Sequence, residues 1–247
     1  CKETMRSFAS DNNSGVHPLV MAALNRANTD HALGYGDDKW TEEAVAKIKE
    51  TFTQDCVPLF VFNGTGSNVV ALQLMTRPYH SIFCAETAHI YVDECGSPVK
   101  MTGCQIRPIA TPDGKLTPDL VRPYLCHFGE QHHSQPGAIY ISQCSELGTV
   151  YKPDELRALT DLAHRHGMYV HMDGARLANA CAALNLGFRE LTVDCGIDIL
   201  SFGGTKNGLM LGESVVVFNP ALKKEAYFVR KQSAQLASKL RYLSCQF

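Results

Sequence analysis

The stretch Val57-Pro58-Leu59-Phe60-Val61-Phe62, followed by Asn63-Gly64-Thr65-Gly66-Ser67-Asn68, joins an unbroken apolar run to a glycine-rich turn. An apolar run of this length is typical of a strand buried on both faces of a parallel sheet. Residues 69–75 continue with a helical pattern. A buried strand, a glycine-rich turn and a helix in this order indicate an α/β fold.

The same alternation continues along the rest of the chain. Further strands are predicted at residues 138–142, 168–172, 198–202 and 214–219, and helices at residues 153–166, 176–186 and 220–247. We therefore expect a mostly parallel sheet sandwiched by helices. The long last helix has no cap or polar tail, and Cys1 is not a natural start, so we expect a piece of a longer protein.

The composition argues against several classes of protein. The chain has 247 residues, of which 45% are hydrophobic and 19% are charged, with a net charge of −2. This small charge disfavours a nucleic acid or an anionic membrane as partner, and no run approaches the roughly 20 apolar residues of a membrane span. The ten cysteines form no Cys-x-x-Cys pair, so we expect reduced thiols and a cytoplasmic location.

Two candidate binding features follow predicted strands, where ligands collect in open α/β sheets. Gly64, Thr65 and Gly66 precede a helix whose N-terminus offers free N–H groups to an anion, although an ordinary strand-to-helix turn would have the same pattern. Asp173 follows another strand, where an unpaired carboxylate is costly. It could keep a ring nitrogen protonated, or it could cap the helix that follows.

Two further residues could carry the chemistry. Lys206 lies in a glycine-rich turn after a strand, where desolvation would make its amine nucleophilic; the alternative is a solvated loop lysine. His89 could stack on a ring or move a proton, or it could be an ordinary surface histidine.

Two further groups of histidines could in principle bind a metal ion. His127, His132 and His133 lie in a predicted loop, and His164 and His166 end a predicted helix. Their spacing is not typical of a metal site, and we expect none.

Taken together, the motifs resemble those of the threonine aldolases, in the β-eliminating lyase group of fold-type I pyridoxal 5′-phosphate (PLP) enzymes. The resemblance runs from Phe8 to Phe247. It is carried by Ser10-Asp11-Asn12, Gly34-Tyr35-Gly36-Asp37-Asp38, Asn63-Gly64-Thr65-Gly66-Ser67-Asn68, Glu86-Thr87-Ala88-His89-Ile90, His171-Met172-Asp173-Gly174-Ala175-Arg176 and Gly203-Gly204-Thr205-Lys206.

The resemblance implies a role for each candidate residue on the cofactor side. Lys206 would carry PLP as a Schiff base, and Asp173 would keep the pyridine nitrogen protonated. The loop of Gly64, Thr65 and Gly66 would hold the phosphate. His89 would stack on the ring and position a catalytic water or the substrate hydroxyl.

On the substrate side, the resemblance implies that Arg176 holds a cofactor oxygen or the substrate carboxylate, and that Ser10 lies near that carboxylate. Tyr35 would reach the cofactor, across the interface of a homodimer or homotetramer. Where the family often has Glu-Asn-Thr-His, this chain has Gln143-Cys144-Ser145-Glu146. The family also has a C-terminal small domain, which we expect to be missing from these 247 residues.

The implied reaction is cleavage of L-threonine or L-allo-threonine to glycine and acetaldehyde. Two alternatives stay open: another PLP-dependent β-eliminating lyase of the same fold, or a non-catalytic fragment of one. A nucleotide-binding domain is disfavoured because the chain lacks the glycine patterns of that class. The implied domain plan is an N-terminal arm over residues 1–40 and a large PLP-binding α/β domain over residues 41–247, ending in a long helix.

Overall fold

A seven-stranded sheet organises the protein, whose computed structural model describes residues 7–247. Along the chain the strands are β1 (Val57–Val61), β2 (His80–Ala85), β3 (Gln105–Ile109), β4 (Gln135–Ser142), β5 (Tyr169–Gly174), β6 (Ile199–Gly203) and β7 (Glu213–Val217). Their order across the sheet is β1-β7-β6-β5-β4-β2-β3. β7 is antiparallel to both β1 and β6, and the other pairs are parallel.

The mostly parallel sheet predicted from the sequence is thus confirmed, with β7 as the exception. A parallel connection needs a dozen or more residues to cross over. Residues 204–212, which join β6 to β7, are too few for a crossover, so β7 returns antiparallel. Because β1, β2, β5 and β6 run in the same direction, their carboxyl ends meet at one edge of the sheet.

Helices cover both faces of the sheet. They are α1 (Pro18–Ala27), α2 (Lys39–Thr51), α3 (Gly64–Met75), α4 (His89–Val92), α5 (Ser97–Thr102), α6 (Pro118–Val121), α7 (Pro153–Arg165), α8 (Leu177–Leu184), α9 (Pro220–Lys223), α10 (Ala226–Gln232) and α11 (Arg241–Ser244). Short 3₁₀ helices lie at Asp11–Asn13, Arg122–Tyr124, Val193–Cys195 and Thr205–Asn207. None of the helices within residues 7–247 is long and apolar enough to cross a membrane.

The apolar run of β1 feeds two separate cores. Leu59 and Val61 pack with α3 on one face of the sheet, and Phe60 packs with α2, α7 and α8 on the other. Successive side chains of a strand point to opposite faces, so a strand covered on both sides needs apolar residues at every position. The nine cysteines in the described part of the chain are free thiols.

The predicted helix over residues 220–247 is wrong. The segment forms α9, α10 and α11 instead, with Ala234 in the left-handed region at a φ of 58°. Beyond that break, the Gln235 side-chain oxygen accepts from the backbone N–H of Phe62 at 3.1 Å, and Leu240 and Leu243 are buried in the core. Contacts with distant parts of the chain therefore override the helix propensity of the segment.

A second correction concerns the glycine-rich turn. Helix α3 begins at Gly64, five residues earlier than predicted, because the Asn63 side chain accepts from the backbone N–H of Gly66 at 2.7 Å. Asparagine is among the preferred N-cap residues. The glycines therefore form the first turn of the helix rather than a loop before it.

Candidate active site

A cavity of about 240 Å³ lies at the carboxyl edge of the sheet. Its walls are formed by Asn12, Asn63, Gly64, Thr65, Asn68, His89, Asp173, Ala175, Thr205, Lys206 and Glu213. The features predicted from separate segments, namely the α3 N-terminus, His89, Asp173 and Lys206, are therefore neighbours in space. Asp173 lies at the carboxyl end of β5, and the other three follow strands that end at this edge, which is where ligands bind in such sheets.

Asp173 is held as a carboxylate at the end of β5. Its Oδ2 accepts from the Tyr140 hydroxyl at 2.7 Å and from Asn68 Nδ2 at 3.0 Å, and its Oδ1 accepts from the backbone N–H of Ala175 at 3.0 Å. Burial alone would raise the pKa of Asp173, but these donors outweigh burial and lower it. Asp173 does not cap α8, which begins at Leu177, so the capping interpretation is wrong.

Asn68 and Glu94 connect Asp173 to His89. The Asn68 amide donates to Asp173 and also to Glu94 Oε1, at 2.7 Å. The same Glu94 oxygen lies 2.8 Å from His89 Nδ1. The hydrogen bond to Glu94 raises the pKa of His89, whereas burial lowers the pKa of His171 to about 4 and keeps that ring neutral. Of these two histidines, His89 is the one suited to exchange a proton near neutral pH.

The N-terminus of α3 lies in the cavity wall, where it could hold an anion. A Cβ placed on Gly64 would meet no atom within 4 Å, whereas a Cβ on Gly66 would overlap the Gln235 side chain at 2.4 Å. Space therefore lies in front of Gly64 and Thr65, next to the positive end of the helix. Ser67 turns away from the cavity and donates to Ser201 at 2.7 Å.

Lys206 lies half-buried in the 3₁₀ turn that follows β6. No hydrogen bond or ion pair to its amine is found within residues 7–247, and Lys206 lines the cavity, so the amine is available to a ligand. The backbone before this turn packs so closely against Ala175 that a Cβ on Gly203 would lie 2.5 Å from the Ala175 backbone oxygen. Glu213 accepts from the backbone N–H of Gly204, and burial raises the pKa of Glu213.

The residues predicted on the substrate side, Arg176, Ser10 and Tyr35, are not among those that line the cavity. Arg176 is paired with Asp11 through two hydrogen bonds of 2.7 and 3.1 Å, which raises the pKa of Arg176 and lowers that of Asp11. Ser10 accepts from the backbone N–H of Asn12 at 3.2 Å, and Asn12, rather than Ser10, lines the cavity. Tyr35 lies outside the cavity of its own chain and is 53% exposed.

The segment that departs from the family pattern also contacts the site. Glu146 Oε1 accepts from the backbone N–H of His89 at 3.0 Å and from the Ser142 hydroxyl at 2.8 Å. Glu146 therefore anchors the start of α4 from a neighbouring strand end. It lines a smaller recess beside the cavity together with His89 and Arg176.

The sequence reasoning assigned no role to Asn68, Tyr140 or Glu94. Asn68 lies one helical turn after Gly64, and residues four apart share one face of a helix. Glu94 follows His89 by little more than a turn, and an acid at that distance was an available signal. Tyr140 reaches Asp173 across the sheet, because β4 and β5 are neighbours, and no local pattern indicates such a contact.

Comparisons with known proteins show the family to which this chain belongs. A sequence profile of the family described as beta-eliminating lyase matches residues 7–243. A low specificity L-threonine aldolase from a Pseudomonas species is 44% identical over 240 residues, which cover 97% of this chain and 69% of that protein.

Solved structures show the same fold. A Leishmania major threonine aldolase superposes with a TM-score of 0.92 at 31% identity, over 98% of this chain and 71% of that one. A Thermus thermophilus aspartate aminotransferase gives a TM-score of 0.66 at 14% identity, over 95% of this chain and 62% of that one, which shows the fold alone.

Proposed function

The chain belongs to the β-eliminating lyase family, and from this premise we propose that it cleaves L-threonine and L-allo-threonine to glycine and acetaldehyde with bound PLP. The observation that carries the proposal is the content of one cavity: a lysine with no partner among residues 7–247, an ionised carboxylate, an open helix N-terminus and an imidazole. Two proteins named as threonine aldolases align with nearly the whole of this chain, and their names support the substrate class.

The donor set fits PLP. The open N-terminus of α3 at Gly64 and Thr65 suits the phosphate. The space beside Gly66 is filled by the Gln235 side chain. Asp173 suits a protonated ring nitrogen because three donors keep it ionised. Lys206 suits the covalent attachment because nothing in the described chain pairs with its amine. When bound, the cofactor accepts the electron pair left on Cα as the Cα–Cβ bond breaks.

His89 is our candidate for the group that takes the proton from the substrate β-hydroxyl. A carboxylate at Nδ1 favours the tautomer in which Nδ1 carries the proton. That leaves Nε2 as an acceptor, directly or through a water. Glu94 and Glu146 hold the ring and its backbone in place, so the acceptor is oriented before the substrate arrives.

Arg176 and the N-terminal arm complete the proposed site. Asp11 occupies two of the guanidinium donors, so we assign Arg176 to a cofactor oxygen or the substrate carboxylate through the donors that remain. Asn12 and Ser10 lie on the substrate side. Tyr35 is exposed in its own chain, which supports a homodimer or homotetramer in which this residue reaches the site of a second copy.

We also propose that the enzyme works in the cytoplasm. Nine free thiols within residues 7–247 are compatible with a reducing compartment. Most of the buried ones pack as small apolar side chains in the two cores.

The test is a product assay on the PLP-loaded chain. With L-threonine and L-allo-threonine we expect acetaldehyde and glycine in equal amounts, with loss of turnover in Lys206→Ala and none in Lys224→Ala, an exposed control. Borohydride reduction should place a pyridoxyl group on Lys206. Pyruvate and ammonia as products would support another lyase instead, and a label on a different lysine would overturn the site.

A further inference from the structure

The loop before β4 brings together three side chains of the kind that bind metal ions. Among residues 7–247, His127, Glu130 and His133 form the one group of at least three potential ligands whose donor atoms all lie within 4.8 Å of one another. The loop precedes Gln135, the first residue of β4, whereas the cavity lies at the other end of that strand. The cluster is therefore separate from the proposed active site.

The three side chains lie within ion-pair distance of each other. His127 Nδ1 lies 3.0 Å from Glu130 Oε1, and His133 Nε2 lies 3.6 Å from Glu130 Oε2. The two imidazole rings stack with centroids 4.1 Å apart. One carboxylate thus faces two ring nitrogens, with both rings at the surface.

The backbone of the loop is held by a side chain from β4. Gln135 Nε2 lies within hydrogen-bond distance of the carbonyl oxygens of His127, Glu130 and His133, at 3.2, 3.1 and 2.9 Å. Gln135 Oε1 accepts from the backbone N–H of Gly129 at 2.8 Å. The amide therefore fixes the backbone at each of the three ligand positions, which lowers the entropy lost when the side chains converge on an ion.

We propose that His127, Glu130 and His133 form a binding site for a divalent transition-metal ion of the nickel, copper and zinc series. Two imidazoles and a carboxylate are a donor set that these ions prefer. A hollow of about 230 Å³ beside Glu130 and His133 leaves room for water to complete the coordination. The rings are nearly parallel, so one of them turns about its side-chain bonds to point at a shared ion.

The sequence alone predicts no metal site here, because the three side chains come together only through the conformation of the loop. His127 lies in the left-handed region, at a φ of 60°. The turn that this conformation starts brings His127 to His133, six residues apart, on the same side of the loop. That spacing matches neither a helical nor a zinc-finger pattern, so the cluster exists only once the loop has folded around Gln135.

Calorimetric titration of the PLP-loaded chain with Ni²⁺ tests the proposal, with a reducing phosphine present to keep the thiols reduced. We expect one saturable site per chain. Its affinity should fall at least tenfold in His127→Ala and in His133→Ala, and less steeply in Glu130→Gln. Nickel is chosen because imidazole suits it, which limits competition from cysteines.

Two neighbours in the same loop provide matched controls. His132→Ala removes an exposed histidine that is outside the cluster, and Cys126→Ser removes the exposed thiol beside His127. Both should bind Ni²⁺ like the unmodified chain, and threonine cleavage should be unchanged in all five variants. Absence of a saturable site would overturn the proposal, as would an equal loss of affinity in His132→Ala or in Cys126→Ser. Circular dichroism checks that each variant is folded.

Discussion

The Tyr140 hydroxyl allows a sharp test of how Asp173 is kept ionised. Tyr140 is buried and donates to Asp173 Oδ2 at 2.7 Å. Burial and the nearby carboxylates raise the pKa of Tyr140 well above its ordinary value, so the hydroxyl keeps its proton and remains the donor. Tyr140→Phe removes that donor with almost no change in shape, and Asn68 and Ala175 continue to donate to the carboxylate.

A hydrogen bond to a charged group contributes about 1.5–3 kcal/mol to stability, and we expect the free energy of unfolding to fall by about this amount at pH 7. The folded-state pKa of Asp173 is lowered, so its ionised form stabilises the fold above the ordinary pKa and loses that effect as the pH falls through the folded value. The loss in Tyr140→Phe should therefore be constant from about pH 5 to 8 and shrink only in more acidic solution.

Urea titration of the cofactor-free protein measures the effect. Tyr151→Phe is the matched control, because the Tyr151 hydroxyl is also buried but accepts from the backbone N–H of Leu116 at 2.6 Å, and it donates no hydrogen bond to a carboxylate within residues 7–247. The decrease in the free energy of unfolding caused by Tyr151→Phe should not depend on pH. A loss below about 0.5 kcal/mol in Tyr140→Phe, or one that persists unchanged in acid, would refute the reasoning.

Three further predictions test other parts of the site. In Glu94→Gln the pKa of His89 should fall, because the carboxylate that raises it is gone. Since the neutral ring is the proton acceptor, the acid limb of the kcat/KM profile should move to lower pH, and kcat should fall about tenfold because the ring loses its orienting partner. An unmoved limb would argue against His89. Gly64→Ala should change the free energy of unfolding by less than about 0.5 kcal/mol, since its Cβ meets no protein atom within 4 Å. It should weaken PLP binding about tenfold in a fluorescence titration. Unchanged binding would remove Gly64 from the phosphate site. Gly203→Ala should destabilise the fold by about 1–3 kcal/mol in urea titration, because its Cβ would overlap backbone atoms, while Gly15→Ala, whose Cβ meets nothing within 4 Å, should be neutral.

The sequence predicted which residues form the site better than it predicted the hydrogen bonds between them. Gly64, His89, Asp173 and Lys206 each lie at or after the end of a strand, and strand ends are visible in the apolar pattern. The path from Asp173 through Asn68 and Glu94 to His89 joins residues of three different segments, which no local pattern records. The pairing of Arg176 with Asp11 was missed for the same reason, since 165 residues separate them.

The ends of several elements depended on contacts that a local pattern does not contain. The predicted helix over residues 220–247 has good helical propensity, but burial of Leu240 and Leu243 and the reach of Gln235 to Phe62 divide it. In contrast, the predicted helix over residues 153–166 lies at Pro153–Arg165. That helix starts with a proline and ends before Gly167, and both signals are local.

By itself, the sequence determined the α/β class, the buried strand at residues 57–61 and the four motifs of the site, because apolar periodicity and turn chemistry act over a few residues. Only the tertiary structure decided what each polar group pairs with. A carboxylate such as Asp173 is anionic or neutral according to the donors within about 3 Å of it, and those donors come from strands and helices far away in the chain. The same reason applies to His127, Glu130 and His133, whose nearness depends on a loop folded around Gln135.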